Sequence, residues 1–62
     1  MHKKFYSKEE IDFLKENLDK FGVYICSQKL NRHLTAVISK CHREFGYCNY
    51  ICKASQDEIN GL

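Results

Sequence analysis

The sequence predicts an all-α fold, a bundle of three helices followed by a short fourth helix at the C-terminal end. Three observations support this prediction. Ile11, Leu14, Leu18 and Phe21 recur with a period close to the 3.6 residues of an α-helix. The chain has no proline and only three glycines, so few residues interrupt helices. No stretch shows the alternation of apolar and polar residues that is typical of a strand.

The length of 62 residues predicts a single domain, residues 1–62, with a core at about 7–46 and a C-terminal extension at 47–62. A chain this short cannot easily enclose a large substrate cavity, so we expect no small-molecule substrate. No apolar run approaches the roughly 20 residues that span a membrane. The first ten residues lack the apolar stretch of a signal peptide. We therefore expect a cytoplasmic, intracellular protein without a membrane partner.

Helix one is predicted at about residues 8–20. Ser7 is its expected N-cap, and Glu10, three residues later, completes a capping box. Gly22 is expected to end this helix, because glycine readily adopts the left-handed conformation that closes a helix.

Helix two is predicted at about residues 23–30 and helix three at about residues 34–45. Asn31 is a plausible turn residue between them, and Gly46 is the natural stop of helix three. His33 falls at the N-cap position of helix three. Beyond this point, Tyr47, Ile51 and Cys48 are expected to pack back on the bundle through the short fourth helix.

Residues 22–45 therefore read as two short helices joined by a turn. Their apolar positions are Ile25, Cys26 and Leu30 in the first helix and Val37 and Cys41 in the second. The second helix carries basic side chains on its less apolar side. A helix-turn-helix with a basic second helix is the usual device for placing side chains in the major groove of DNA.

The charge distribution agrees with this interpretation. The net charge is only +2, and residues 1–22 carry five lysines against five acids. Residues 23–53 carry five basic residues against Glu44 alone. Phosphate binding requires such a concentration of positive charge, although a solvated helix face is the plain alternative.

Residues 6–46 resemble a Myb/SANT-like (homeodomain-like) helix-turn-helix domain of the small bacterial or phage type. The matching stretches are Tyr6-Ser7-x-Glu9-Glu10, Phe13-Leu14-Lys15-Glu16-Asn17, Ile25, Leu30-Asn31-Arg32, Ala36-Val37-x-x-Lys40, Cys41, Arg43 and Gly46. The resemblance implies a small DNA-binding protein for transcription regulation, encoded by a phage or mobile element and acting in the host cell cytoplasm. Two positions depart from the family. His33 stands where Ser or Thr is usual, and Ile38 stands where a polar, DNA-facing residue is usual.

The predicted partner is double-stranded DNA, bound with helix three in the major groove. The candidate DNA-binding residues are Arg32, His33, Thr35, Ser39, Lys40, His42 and Arg43. Arg can bond guanine with two hydrogen bonds, Ser and Thr can bond base edges or phosphates, and Lys mostly meets phosphate. A single module buries only about 600–1,000 Å² on DNA. Useful specificity therefore calls for a homodimer, a tandem partner or a larger complex.

The alternative hypothesis is a protein-interaction module on the same fold, one that docks on and modulates a host enzyme such as RNA polymerase. Leu34 and Ile38 on the predicted recognition face would suit a protein partner better than a DNA groove. For the dimer, tandem partner or larger complex that DNA specificity calls for, the exposed apolar candidates are Tyr24, Ile38, Tyr47 and Tyr50.

The four cysteines raise the alternatives of a zinc site or a disulfide. Only Cys48 and Cys52 have the spacing of a ligand pair, and Cys41 occupies a core position of helix three. Disulfides are rare in intracellular proteins. Cys41 and His42 are neighbours on a helix, so they point about 100° apart and do not form a nucleophile–base pair. We therefore predict free thiols, no metal, no cofactor and no enzymatic activity.

Overall fold

The computed structural model describes residues 6–62. It contains three helices, α1 (Lys8–Leu30), α2 (Leu34–Phe45) and α3 (Gln56–Asn60), and no strand within these residues. The prediction of an all-α fold is confirmed. None of the helices in residues 6–62 combines the length and apolarity required to cross a membrane.

Helix α1 begins as predicted. The Glu10 amide donates to the Ser7 hydroxyl over 3.2 Å, and the Ser7 amide donates to the Glu10 carboxylate over 3.0 Å. The helix is interrupted at Gly22, which has φ 83° and ψ 162°. The predicted helices one and two are therefore the two halves of α1, residues 8–21 and 23–30.

The C-terminal segment covers the kink and replaces hydrogen bonds that the helix loses there. A helix end leaves backbone carbonyls without helical partners. The side-chain amide of Asn49 donates to the carbonyls of Leu18 and Asp19 over 3.0 and 3.2 Å. The Lys53 amide donates to the carbonyl of Lys20 over 2.7 Å.

The same segment also satisfies the start of the second half of α1. The Val23 amide donates to the Asn49 carbonyl over 2.8 Å. A Cβ at position 22 would lie only 3.2 Å from the carbonyl carbon and oxygen of Ile51. Glycine is therefore required at position 22 for two reasons: its φ is positive, and the covering segment approaches its backbone closely.

Helix α2 has the predicted bounds. Asn31 ends α1 in the left-handed conformation with φ 54°, and Gly46 ends α2 with φ 79°. The Thr35 amide donates to Nδ1 of His33 over 3.3 Å, so His33 is the N-cap of α2.

The core lies between the two halves of α1 and the inner side of α2. Its fully buried side chains are Leu14, Leu18, Val23, Cys26, Val37 and Cys41, and Phe21 is nearly so. Leu34, Ile38 and Cys48 are half-buried and pack against this cluster.

The C-terminal extension differs from its prediction. Tyr47 and Ile51 are not part of a helix, and Ile51 is 67% exposed instead of packing on the bundle. The short final helix is α3, capped by Ser55 and joined to α1 by an ion pair between Lys20 and Glu58. The reason for the difference is that residues 47–53 bond to the kink through their backbone and through the Asn49 side chain. These backbone groups therefore do not form the hydrogen bonds of a helix.

Candidate nucleic-acid interface

Helix α2 has two distinct sides. Val37 and Cys41 are fully buried on the inner side. The side that faces solvent carries Thr35, Ser39, His42 and Arg43, all exposed. These four residues are here called the outer face of α2. Ser39 follows Thr35 by four positions, and His42 and Arg43 follow Ser39 by three and four, so all four lie on one side of the helix. The structure thus brings together four of the seven predicted DNA-binding residues.

Leu34 and Ile38 do not belong to the outer face. Both were expected on the recognition face, where they argued for a protein partner. In the structure they are half-buried and pack against the core. The reason is helical periodicity, since positions 34, 38, 41 and 45 follow the same stripe toward α1. The outer face therefore contains no large apolar side chain.

Arg32, one of the predicted DNA-binding residues, has a structural role. Its guanidinium donates to Glu10 from Nε over 2.6 Å and from a terminal nitrogen over 2.8 Å. It also lies 3.7 Å from the centroid of the Tyr6 ring. Its side chain is only 5% exposed. Arg32 thus holds the turn before α2 against the beginning of α1 and does not lie on the outer face.

The pKa of Glu10 reflects these contacts. The hydrogen bond from Arg32 is the largest cause that lowers the pKa of Glu10 to about 2, with the Ser7 amide contributing in the same direction. Burial raises the pKa of the neighbouring Tyr6 hydroxyl. The sequence showed Glu10 only as a capping residue, because its partner lies 22 positions away and no local pattern connects the two.

Lys40 is also engaged within the molecule. Its ammonium lies 2.8 Å from the Glu44 carboxylate and 5.3 Å from the centroid of the Tyr6 ring. Lys40, which is predicted to contact DNA together with Arg43, therefore makes contacts within the molecule through Glu44 and Tyr6. This arrangement offsets the charge of Glu44, the single acid of α2.

Lys29 is a further candidate, which the helix-turn-helix pattern of the sequence does not single out. It is exposed in the last turn of α1, immediately before the turn that leads to α2. Among the described residues no acid pairs with Lys29 or with Arg43. The sequence signal for Lys29 is its place in the basic stretch 23–53, which does not distinguish it from the other basic residues there.

The cysteine thiols are part of the core and its border. Burial raises the pKa of Cys26 to about 11 and that of Cys41 to about 12, with the neighbouring Cys48 as the next cause in each case. Within residues 6–62, no group of three or more His, Cys, Asp or Glu side chains is arranged to hold a metal ion. The raised pKa values keep both buried thiols protonated at neutral pH, which disfavours nucleophilic chemistry.

The outer face of α2 is thus a polar surface on a helix whose other side is anchored in the core. Comparisons with models of protein families, with curated proteins and with solved structures find no match to this chain.

Proposed function

We propose that this chain binds double-stranded DNA by placing α2 in the major groove, with the second half of α1 and α2 acting as a helix-turn-helix. The observation that carries the proposal is the sorting of side chains on α2. Leu34, Ile38 and the buried core residues point inward. The outer face carries only polar side chains and ends in Arg43. A groove-reading helix needs such a face.

The charge that remains available fits contacts with phosphate. Arg43 and Lys29 are exposed and unpaired among the described residues. Arg43 supports guanine or phosphate recognition, and Lys29 supports a phosphate contact beside the turn. Thr35 and Ser39, close to the N-terminal end of α2, supply hydroxyl groups for base edges or phosphates.

The contact between Arg32, Glu10 and Tyr6 supports the proposal indirectly. It connects the turn before α2 with the start of α1 through two short hydrogen bonds and a stacked ring. A rigid helix orientation lowers the ordering cost of binding. The resemblance of residues 6–46 to Myb/SANT-like domains adds transcription regulation to the proposal.

The test is binding to mixed-sequence duplex DNA over a salt series. Two phosphate contacts, from Lys29 and Arg43, predict a slope of log affinity against log salt of about −2. Arg43→Ala should reduce the slope by about one. Lys15→Ala is the control, because Lys15 is an exposed lysine in the first half of α1 and should leave the slope unchanged. Absence of binding at low salt, with α2 folded, would refute the proposal.

A protein-interaction module remains the second candidate, on a different surface from the one expected. The large exposed apolar side chains are Tyr24, Tyr47, Tyr50 and Ile51, and none of them belongs to α2. A protein partner would therefore bind at the kink of α1 and its covering segment, while the outer face of α2 remains free for DNA.

A further inference from the structure

Three of the four cysteines lie in the hydrophobic core or against it. Cys26, from the second half of α1, and Cys41, from α2, are both fully buried in the core cluster. Cys48, from the segment that covers the kink, is half-buried and packs against this cluster. Cys52 is exposed, and its sulfur lies 3.7 Å from the Ala54 carbonyl oxygen. Cys48 is therefore the one thiol that contacts the core cluster and is also open to solvent.

The backbone holds Cys48 in this position. Gly46 ends α2 in the left-handed conformation with φ 79°, so the chain changes direction two residues before Cys48. The next residue, Asn49, accepts a hydrogen bond from the Val23 amide over 2.8 Å. This bond fixes the segment beside the second half of α1, and the Cys48 side chain packs on the core between α1 and α2.

Of the two buried thiols, Cys41 interacts with Cys48 more closely. After burial, the next two causes that raise the pKa of the Cys41 thiol are the charge of Cys48 and a hydrogen bond with its side chain. Cys48 raises the pKa of the Cys26 thiol through its charge alone. A disulfide needs two cysteines that are close and point toward each other. Cys41 and Cys48 are the pair that meets this requirement best.

Within this pair, Cys48 is the thiol that a reagent in solvent reaches first. Cys41 is fully buried, and burial raises its pKa to about 12, so almost none of it is thiolate at neutral pH. The thiolate is the form that attacks a disulfide. Once Cys48 has reacted, the Cys41 sulfur already lies beside it, and this proximity compensates for the small thiolate fraction.

We propose that Cys41 and Cys48 form a reversible disulfide by exchange with a small-molecule disulfide of the glutathione class. The Cys48 thiolate attacks one sulfur of the reagent, the S–S bond of the reagent breaks, and the released thiolate takes up the proton that Cys48 lost. The Cys41 thiol then loses its proton as its sulfur attacks the Cys48 sulfur, and the second half of the reagent leaves as a thiol with that proton. Two protein thiols are thus oxidised, and the reagent is reduced to two thiols.

The disulfide fastens the C-terminal extension to α2 by a covalent bond. In the reduced chain, hydrogen bonds hold this segment, among them those from the Val23 amide to Asn49 and from the Lys53 amide to Lys20. A bond that closes the eight-residue loop 41–48 lowers the entropy of the unfolded chain. The equilibrium constant of unfolding should therefore fall about 50-fold on oxidation. This redox site goes beyond DNA binding and does not depend on it.

The experiment is incubation of the full, folded chain with oxidised and reduced glutathione at pH about 8, where more thiolate is present than at neutral pH. Acid quenching and mass spectrometry follow. We expect a monomer that has lost two hydrogen atoms. Trypsin cuts after lysine and arginine, so the disulfide should join peptides 41–43 and 44–53. Because the second peptide also contains Cys52, the peptide map is repeated with Cys52→Ser, which leaves Cys48 as its single thiol.

Two matched substitutions in the same segment serve as test and control. Cys48→Ser should abolish the disulfide, whereas Cys52→Ser should leave its rate of formation unchanged. Circular dichroism checks that both variants keep the helical content of the parent chain. In concentrated urea, the disulfide should shift to Cys48 and Cys52, because the shorter loop closes at the lower entropy cost. Pairing of Cys41 with Cys48 is therefore expected only in the folded chain.

Amide hydrogen exchange follows the extension itself. Exchange of the Val23 and Lys53 amides, which bond across the kink, should slow about tenfold or more on oxidation and recover after reduction with dithiothreitol. Unchanged exchange in the oxidised chain would contradict the fastening of the segment.

Four results of the glutathione experiment would overturn the proposal. They are pairing of Cys48 with Cys26 in the folded chain, pairing of Cys48 with Cys52 there, a glutathione adduct that Cys41 never displaces, and the absence of any reaction. Because none of these measurements includes DNA, their failure is distinguishable from failure of the DNA-binding proposal.

Discussion

The helical core and the C-terminal extension are held in place by different forces. In α1 and α2, Leu14, Leu18 and Val37 are fully buried in one core cluster. In the extension, residues 47–53 expose most of their side chains and are held by hydrogen bonds to the kink at Gly22. The periodicity of apolar residues specifies the structure of the helical core. The structure of the extension is specified by hydrogen bonds to backbone groups that are distant in the sequence.

The largest expected contrast between the two regions concerns apolar truncation. Leu14→Ala should cost about 2–5 kcal/mol, because it leaves a cavity in the core. A domain of this size has only about 3–5 kcal/mol of stability, so the variant should be unfolded or nearly so. Ile51→Ala removes a similar side chain that is already exposed and should change stability by less than about 0.5 kcal/mol. Urea denaturation followed by circular dichroism measures both, and equal losses would contradict the contrast.

The same contrast explains which features the sequence predicted. The Ser7–Glu10 capping box, the break at Gly22 and the bounds of α2 depend on residues close together in the chain, and all three predictions are confirmed. The bonds from Asn49 to Leu18 and Asp19 join residues about 30 positions apart. No local pattern contains such pairs, which is why the helix predicted for the extension lies in the wrong place.

The candidate interface follows the same rule. The outer face of α2 was predictable because helical spacing assigns Thr35 and Ser39 to one side. Arg32 points away from that face because it bonds to Glu10, which lies at the far end of α1. Sequence charge alone therefore counts Arg32 and Lys40 as available for DNA, whereas the structure shows both engaged with acids.

The second largest effect should come from the ion pairs. Glu10 pairs with Arg32, whose side chain is only 5% exposed, whereas Lys20 and Glu58 are 53% and 42% exposed. Because Arg32 holds the pKa of Glu10 at about 2, below the ordinary value of 4.5, the unfolded chain binds more protons between these values. The Glu10 contribution is therefore complete above pH about 4.5 and is lost as pH falls toward about 2.

The measurement is the free energy of unfolding from urea titrations between about pH 2 and about pH 6. Glu10→Gln should cost about 2–3 kcal/mol at about pH 6 and flatten the decline between about pH 4.5 and 2. Glu58→Gln should leave stability unchanged, since exposed pairs contribute little. A Glu10→Gln variant as stable as the parent at about pH 6 would show that the Arg32 contact does not hold the core.

The next effect isolates the contact between the core and the extension. Gly22 and Gly46 both have positive φ, 83° and 79°. A Cβ at Gly22 would also lie 3.2 Å from the Ile51 backbone, whereas a Cβ at Gly46 meets nothing within 4 Å. Gly46→Ala should therefore cost about 1 kcal/mol for backbone strain alone, and Gly22→Ala should cost about 1–2 kcal/mol more. Equal costs would mean that the segment moves away easily.

The smallest expected effect compares the helix caps of the two regions. His33 caps α2 through Nδ1 with a bond of 3.3 Å, at the long end of the usual range, and Ser55 caps α3 in a capping box. Serine is a preferred N-cap, so His33→Ser should stabilise the whole chain by up to about 1 kcal/mol. Ser55→Ala should instead loosen only α3, because this five-residue helix buries no residue fully.

Amide hydrogen exchange distinguishes the two outcomes. His33→Ser should slow exchange throughout the core, and Ser55→Ala should speed it only near residues 56–60. Faster exchange in α1 after Ser55→Ala would show that the extension and the core unfold as one unit.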